Sequence, residues 1–281
     1  MEPLPLRIYW QPGCTSCLRA KEFLESRGLA YVSINVLADP DAAKQLQQLG
    51  VRAVPVVARG TDYVLGQDLA ELARFVGAAS PQQSLPPAEL VERLTALLRL
   101  AEERVGKIPA ARLLEQIPTR PRRYADLVFH IGMIVQGLLD AAEPRGEGEL
   151  RFEHFERLPP DDMLSTAALA TWLAHCRTEL GASKLAQTAG EAATAQRVLR
   201  TYYGQRPLHE VLERSAWHVA QHCRQLDYIV SEVISTAASV EALPDLLQGL
   251  PVPQQIWDRE IGWAAPSARN HRGQRGEFAD A

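Results

Sequence analysis

The segment at residues 208–233, LHEVLERSAWHVAQHCRQLDYIVSEV, has the pattern of one long helix with a buried face. Its apolar residues recur at intervals of three, four and seven, which is typical of a stripe that faces a protein core. His218 and His222 lie one turn apart on that stripe. Because buried polar groups need partners, the pair predicts either a divalent metal or two core histidines held by hydrogen bonds.

Composition narrows the class of protein. The chain has 281 residues, 46% of them hydrophobic, which is enough for two domains with separate cores. Lys and Arg number 30 against 34 Asp and Glu, and the resulting net charge of −4 argues against nucleic-acid binding. We recognise no secretion signal, and no apolar run near the roughly 20 residues of a membrane span. One C-x-x-C among four cysteines indicates redox chemistry, so we expect a cytoplasmic protein.

The N-terminal part alternates predicted strands and helices, with Cys14-Thr15-Ser16-Cys17 opening the first helix. Strands are predicted at residues 6–10, 31–36 and 53–57, and helices at residues 18–27 and 39–49. This order is typical of a thioredoxin-like domain. The positive end of a helix dipole favours the thiolate of Cys14. Cys17, one turn further on, is placed to attack a mixed disulfide and release the product.

The first 80 residues or so resemble a small glutaredoxin in three segments. Residues 8–17, IYWQPGCTSC, resemble the active-site segment of that family. Residues 51–57, VRAVPVV, resemble the stretch that contains its cis proline, Pro55 here. Residues 66–68, GQD, resemble the turn that holds the glutamyl end of glutathione.

The resemblance implies a glutathione site. In it Val54 pairs with the backbone of the tripeptide and Asp68 takes its ammonium group. The implied binding residues are Gln11, Val54, Pro55, Gly66, Gln67 and Asp68. Gln11 stands where many glutaredoxins have lysine, and Thr15-Ser16 replaces the usual Pro-Tyr. A thioredoxin-type reductase is therefore an alternative to glutathione as the source of electrons.

The C-terminal part has the pattern of helices alone. A stretch rich in Pro, Ser and Gln precedes them and predicts a linker. Helices are predicted at residues 87–105, 122–142, 161–180 and 207–234, which favours a four-helix bundle. The predicted division is residues 1–78 for the α/β domain, 79–87 for the linker, 88–255 for the bundle and 256–281 for a tail.

A third histidine points to the same predicted core. His130 shares a helical stripe with Leu127, Ile134 and Leu138. Three core-facing histidines from two helices match a three-ligand catalytic metal site with an open position. The residue after His218 is Val219, so the motif is not the His-Glu-x-x-His of a zinc peptidase.

The remaining cysteines and histidines have simpler interpretations. Cys176 and Cys223 are predicted to be core residues, and they are too scattered to form a second cysteine pair for a structural zinc site. His154 and His271 are predicted to lie in solvent, in a loop and in the tail.

About residues 87–250 resemble the DinB-like superfamily of metal-binding four-helix bundles. The matching segments are HVAQHCRQL at residues 218–226 and LVFH at residues 127–130. The resemblance implies that His130, His218 and His222 bind one divalent metal, zinc first, with nickel, iron or manganese as alternatives. Members of that superfamily include thiol transferases and thiol-dependent isomerases, in which the metal is thought to bind and activate a low-molecular-weight thiol.

Together the sequence predicts an α/β plus all-α enzyme: a glutaredoxin domain followed by a DinB-like bundle. The expected function is a metal-dependent thiol transferase or isomerase that uses glutathione on a small electrophile. Its partners are the thiol and the electrophile, with no nucleic acid and no membrane, and a homodimer is left open. One alternative is a thiol–disulfide oxidoreductase whose helical domain selects a partner, and another is a sensor without turnover.

Overall fold

The computed structural model describes residues 4–80, 84–117, 122–143, 148–234, 243–258 and 260. The chain divides into two compact units. The N-terminal unit falls within residues 1–83 and 253–281, and the helical unit falls within residues 84–252.

The N-terminal unit is built on a four-stranded mixed sheet. Its elements are β1 (Leu6–Trp10), α1 (Thr15–Glu25), β2 (Val32–Asn35), α2 (Ala42–Gln48), β3 (Val56–Arg59), β4 (Asp62–Leu65) and α3 (Leu69–Val76). The strand order is β2-β1-β3-β4, with β1 parallel to β2 and antiparallel to β3. The predicted thioredoxin-like α/β fold is confirmed, and β4 is a strand that the sequence did not predict.

Alternation along the strands places apolar side chains on both faces of this sheet. On one face Ile8 packs in a cluster with residues of α1 and α3. On the other face Tyr9 packs in a cluster with residues of α2. The sheet is therefore covered by helices on both sides, which holds the start of α1 against the end of β1.

A C-terminal segment belongs to the N-terminal unit. The backbone N–H groups of Gln254 and Gln255 donate to the Glu22 carboxylate at 2.6 and 2.8 Å. Asp258 lies 2.9 Å from the ammonium group of Lys21. The described residues from 253 onward thus pack on α1, whereas we expected the second domain to reach residue 255 and a tail to follow. The rest of that tail, residues 261–281, lies outside the described residues.

The helical unit contains four long helices that pack on one another. They are α4 (Pro87–Val105), α5 (Tyr124–Ala142), α6 (Thr166–Ala182) and α9 (Leu208–Tyr228), and α9 is followed by a π-helical turn (Ile229–Val233). Both α4 and α5 pack against α6 and α9. The predicted helical C-terminal part is confirmed, with boundaries within a few residues of those expected except at α6. A 3₁₀ turn at Asp161–Met163 takes the first residues predicted for that helix, and Ser165 then caps α6 by accepting from the Ala168 N–H.

Short elements complete the helical unit. They are β5 (Glu149–Leu150), α7 (Lys184–Thr188), α8 (Ala192–Gln196), β6 (Val198–Thr201), β7 (Gly204–Pro207) and α10 (Leu243–Leu247). The strands form a sheet of order β5-β6-β7, in which β6 and β7 are a hairpin and β5 comes from the loop after α5. No strands were predicted here, because strands of two to four residues contain too few alternations to recognise.

The helix α5 is the hydrophobic centre of this unit. By length and composition alone it could cross a membrane, which corrects the expectation that no such run exists. However, 89% of its apolar window is buried inside the protein, as in the core helix of a bundle.

Candidate functional site

The Cys14–Cys17 disulfide lies at the N-terminus of α1. Cys14 is the N-cap residue, and its Sγ accepts a hydrogen bond from the Cys17 N–H at 3.1 Å. The two Cα atoms are 5.2 Å apart. Cys17 is fully buried, whereas Cys14 is half-buried. Because the cap position offers N–H groups to a sulfur anion, this geometry agrees with Cys14 as the nucleophile and Cys17 as the resolving thiol.

The second resembling segment contains the expected cis peptide, between Val54 and Pro55. Pro55 directly precedes β3, and the register pairs Tyr9 of β1 with Val56. The cis proline and the C-terminal end of β1 therefore lie at the same end of the two central strands of the sheet. Gly66 packs closely here, since a Cβ at that position would lie 2.9 Å from Pro55 Cγ.

The third segment meets the second through side-chain hydrogen bonds. Gln67 is buried, and its Nε2 donates to the Val54 carbonyl at 3.0 Å. Asp68 caps α3, accepting from the N–H groups of Ala70 and Glu71 at 2.8 and 3.0 Å. Of the predicted glutathione residues, the structure thus brings together Val54, Pro55, Gly66 and Gln67, with Asp68 next in sequence. Gln11 lies in the turn before Cys14, whose N–H donates to its carbonyl at 3.3 Å.

The three predicted metal ligands meet in the core of the helical unit. His130 comes from α5, and His218 and His222 come from successive turns of α9. One nitrogen from each lies within 4.8 Å of the others, and all three residues are buried. Helical periodicity explains this, since the stripe that holds the apolar residues of α9 also holds its histidines.

A neighbouring amide orients His222. Its Nδ1 lies 2.8 Å from Gln225 Oε1. The amide oxygen accepts only, so this hydrogen bond requires the proton on Nδ1, and in the neutral ring it leaves Nε2 with its lone pair. Hydrogen bonds of this kind are typical of histidines that bind metals.

The aromatic ring of Phe155 lies beside the histidines. The ring of Phe155 lies 6.0 Å from the rings of both His130 and His218. Phe155 ends a 3₁₀ turn that His154 anchors, since the Nε2 atom of His154 lies 3.3 Å from Asp140 Oδ2.

His154 is only 3% exposed, so the prediction that it lies in solvent was wrong. One partner, Asp140, comes from the previous helix, which a loop sequence does not reveal, and the other is the Arg151 N–H of the same turn.

Sequence reasoning missed a cluster of Arg214, Tyr202 and Tyr203, which also lies against Phe155. The Nη2 group of Arg214 donates to the Tyr202 hydroxyl at 2.6 Å. The guanidinium carbon lies 5.2 Å from the ring centres of Phe155 and Tyr203 and 5.5 Å from that of Tyr202. The signal was present in part, because Arg214 precedes His218 by one helical turn.

The other two cysteines are core residues, as predicted. Cys176 and Cys223 are at most 1% exposed. Burial raises the pKa of each thiol to about 12. They are therefore poor nucleophiles at neutral pH. His271 lies outside the described residues.

Comparison with known proteins concerns the N-terminal unit. Residues 6–64 match the Glutaredoxin family model. The glutaredoxin-like protein NrdH of Salmonella typhimurium is 39% identical over 57 residues, which cover 20% of this chain and 70% of that protein. NrdH of Escherichia coli K12 is 38% identical over 55 residues, which cover 20% of this chain and 68% of that protein.

A third relative is the uncharacterised glutaredoxin-like 8.6 kDa protein of the Clostridium pasteurianum rubredoxin operon. It is 28% identical over 72 residues, which cover 25% of this chain and 96% of that protein. No solved structure matches this chain. Through its N-terminal unit, the chain therefore belongs to the glutaredoxin family, whose redox domain suggests thiol–disulfide oxidoreductase activity.

Proposed function

We propose that this protein is a metal-dependent thiol transferase or isomerase joined to its own glutaredoxin domain. The observation that carries the proposal is the buried cluster of His130, His218 and His222, with one nitrogen of each within 4.8 Å of the others. Among the described residues the group contains these three histidines alone, and a three-ligand set is typical of a catalytic metal site, in which substrate or water completes the coordination. The resemblance to DinB-like bundles points to the same three residues.

The donor set fits a divalent ion such as zinc, with nickel, iron or manganese as alternatives. An ion bound there would lower the pKa of a coordinated thiol and hold it as the thiolate for attack on a small electrophile. The Gln225 amide oxygen lies within hydrogen-bond distance of His222 Nδ1 and would favour the tautomer that leaves Nε2 for the ion, and the apolar ring of Phe155 lies beside His218.

The cysteine pair supplies the complementary redox chemistry. The Cys14 thiolate attacks one sulfur of a mixed disulfide and releases the other as a thiol after proton uptake. Cys17 then attacks Cys14 and releases the second thiol, which leaves the Cys14–Cys17 disulfide seen in the structure. The substrate gains two electrons and two protons, and the same number must be returned to the protein.

Glutathione is the proposed source of those electrons, with a thioredoxin-type reductase as the alternative. In support, Val54, Pro55 and Gly66 lie together at the sheet edge where β1 ends. The Val54 carbonyl already accepts a hydrogen bond from Gln67. A carbonyl oxygen has two lone pairs, so the Val54 carbonyl can accept a second hydrogen bond from the backbone of the tripeptide.

Metal analysis of the purified protein tests the proposal. We expect about one divalent ion per chain, since three imidazoles define one site. The His130→Ala, His218→Ala double variant should contain almost none. The matched control is His175→Ala, because His175 is an exposed histidine of the same unit. Full metal content in the double variant would overturn the proposal.

A second candidate is a plain cytoplasmic thiol–disulfide oxidoreductase whose helical unit binds a partner or senses a signal. The match of residues 6–64 to the Glutaredoxin model favours it, because that match concerns the redox domain alone. The two candidates differ in what His218→Ala does. If every thiol-dependent activity survives that substitution, the second candidate replaces the first.

A further inference from the structure

The environment of Arg214 is unusual for a charged residue. Arg214 is only 6% exposed, although arginine keeps its charge at any physiological pH. Its single hydrogen bond to a described residue runs from Nη2 to the Tyr202 hydroxyl. Among the residues that the structure describes, its Nε and Nη1 groups have no hydrogen-bond partner. Buried donors on a charged group are costly unless something accepts from them.

A second donor lies in the same place. The Tyr203 hydroxyl is buried and, within the described part of the chain, has no hydrogen-bond partner. Burial raises the pKa of Tyr203 to about 12, so its hydroxyl keeps the proton and can donate at neutral pH. Stacking of the guanidinium on three aromatic rings satisfies its faces but not the N–H groups at its edge.

The Arg214 cluster adjoins the histidine cluster. Arg214, His218 and His222 occupy successive turns of one face of α9, about 6 Å apart along the axis. Phe155 is shared, since its ring centre lies 5.2 Å from the guanidinium carbon of Arg214 and 6.0 Å from the ring centre of His218. A small molecule bound at the histidines therefore has a cationic fork about one helical turn away, on the same face of α9.

We propose that Arg214, Tyr202 and Tyr203 form a carboxylate-binding subsite beside the histidine cluster, which restricts the ligands of that cluster to carboxylate-bearing molecules. A planar guanidinium matches a carboxylate with two parallel hydrogen bonds. The inference rests on the proposed function, because it assigns part of a ligand that also reaches His130, His218 and His222. The carboxylate belongs either to the thiol or to the electrophile.

The test compares two thiols of equal length, 3-mercaptopropionate and 3-mercapto-1-propanol, titrated calorimetrically into the full chain loaded with Co²⁺. The protein carries Cys14→Ser and Cys17→Ser, so that no thiol exchanges with the disulfide. We expect 3-mercaptopropionate to bind about tenfold more tightly, because hydrogen bonds to a charged group are the stronger ones. Arg214→Gln should abolish this preference and leave the affinity for 3-mercapto-1-propanol unchanged.

Two further variants control the result. Arg177→Gln removes an arginine of the same unit that pairs with Glu102 at 2.6 Å, and it should keep the preference. Tyr203→Phe removes one hydroxyl and should reduce the preference by about threefold. Equal binding of the two thiols by the parent protein, or an undiminished preference in a folded Arg214→Gln protein, overturns the inference. Should Arg214→Gln not fold, an undiminished preference in Tyr203→Phe overturns it.

Two more arms separate the remaining possibilities. If Co²⁺ does not bind, the proposed function fails, and the same titration of metal-free protein still decides the subsite by the presence or absence of an Arg214-dependent preference. Propionate identifies the source of the carboxylate. Propionate that competes with 3-mercapto-1-propanol indicates a carboxylate on the thiol, and propionate that binds beside it indicates one on the electrophile.

Discussion

The cysteine site and the histidine site differ in how the chain brings their residues together. Cys14 and Cys17 are neighbours in sequence, and one helix terminus positions both. His130 comes from α5, whereas His218 and His222 come from α9, and packing of the two helices creates the cluster. A site formed within one segment can be recognised as a contiguous sequence motif. A site formed between two helices can be recognised only from single residues on the buried stripe of each helix. The difference explains why the family comparison, which covers residues 6–64, includes the first site and not the second.

The largest expected effect separates the two cysteines. In the Cys14→Ser protein, the rate at which a glutathione mixed disulfide is reduced should fall to the uncatalysed rate, because the attacking thiolate is absent. Cys17→Ser should leave a monothiol activity or trap the mixed disulfide on Cys14, which mass spectrometry of the intact protein detects. Cys176→Ala is the control, since Cys176 is a buried thiol of the helical unit. Equal losses in Cys14→Ser and Cys176→Ala would contradict the local assignment.

A second prediction compares thiols between the two units. After reduction at pH 7, we expect iodoacetamide to modify Cys14 at least about a thousandfold faster than Cys176. Burial raises the pKa of Cys176 to about 12, so its thiolate fraction at pH 7 is very small and grows only as the pH rises. Peptide mapping after timed quenching measures both rates. Similar rates for the two cysteines would show that the helical core opens readily.

Metal removal should affect only the histidine site. Chelation by EDTA, or His218→Ala, should destabilise the helical unit by about 3 kcal/mol if the free metal is near 100 times its dissociation constant. The unfolding transition of the N-terminal unit should not move, because the cysteine site needs no metal. Calorimetry with and without EDTA measures both transitions. If both unfolding transitions shifted, or neither did, the prediction that the metal stabilises the helical unit alone would be wrong.

Two glycines test the packing behind each site. A Cβ on Gly66 would lie 2.9 Å from Pro55 Cγ, and one on Gly132 would lie 2.7 Å from Trp172 Cε2. We expect Gly66→Ala and Gly132→Ala each to cost about 1–3 kcal/mol, in the N-terminal and helical units respectively. Gly181→Ala is the control, because nothing lies within 4 Å of a Cβ there. Urea unfolding should show it to be neutral or stabilising, and a cost equal to that of Gly132→Ala would refute the packing argument.

The smallest expected effect concerns coupling between the sites. If both act on one pathway, the Cys14→Ser and His218→Ala chains should each lose turnover of an electrophile in the presence of glutathione. An equimolar mixture of the two full-length variants should recover it when a diffusing adduct connects the steps. The intact chain should be a few times faster than the mixture at low concentration, since a tether raises the effective concentration. Identical rates for the intact chain and the mixture at every dilution would contradict coupling between the two sites.

Local patterns predicted much of the fold. The C-x-x-C at a helix start was recognised from the local pattern, and the cis proline and the turn of residues 66–68 were recognised through the resemblance of short segments to glutaredoxins. The four long helices were predicted because a buried stripe repeats over many turns. The strand β4 escaped recognition, since strands of four residues contain too few alternations to stand out.

The sequence by itself determined that the N-terminal unit is a glutaredoxin-type domain and that His130, His218 and His222 face a helical core. The first follows from the C-x-x-C motif and from the resemblance of three short segments to glutaredoxins, and the second follows from helical periodicity. Tertiary structure alone decided that β5 pairs with β6, that His154 is buried against Asp140, and that Arg214 stacks on Phe155, Tyr202 and Tyr203. These contacts join residues from separate elements, and their energies come from burial and pairing that exist only after the helices have packed.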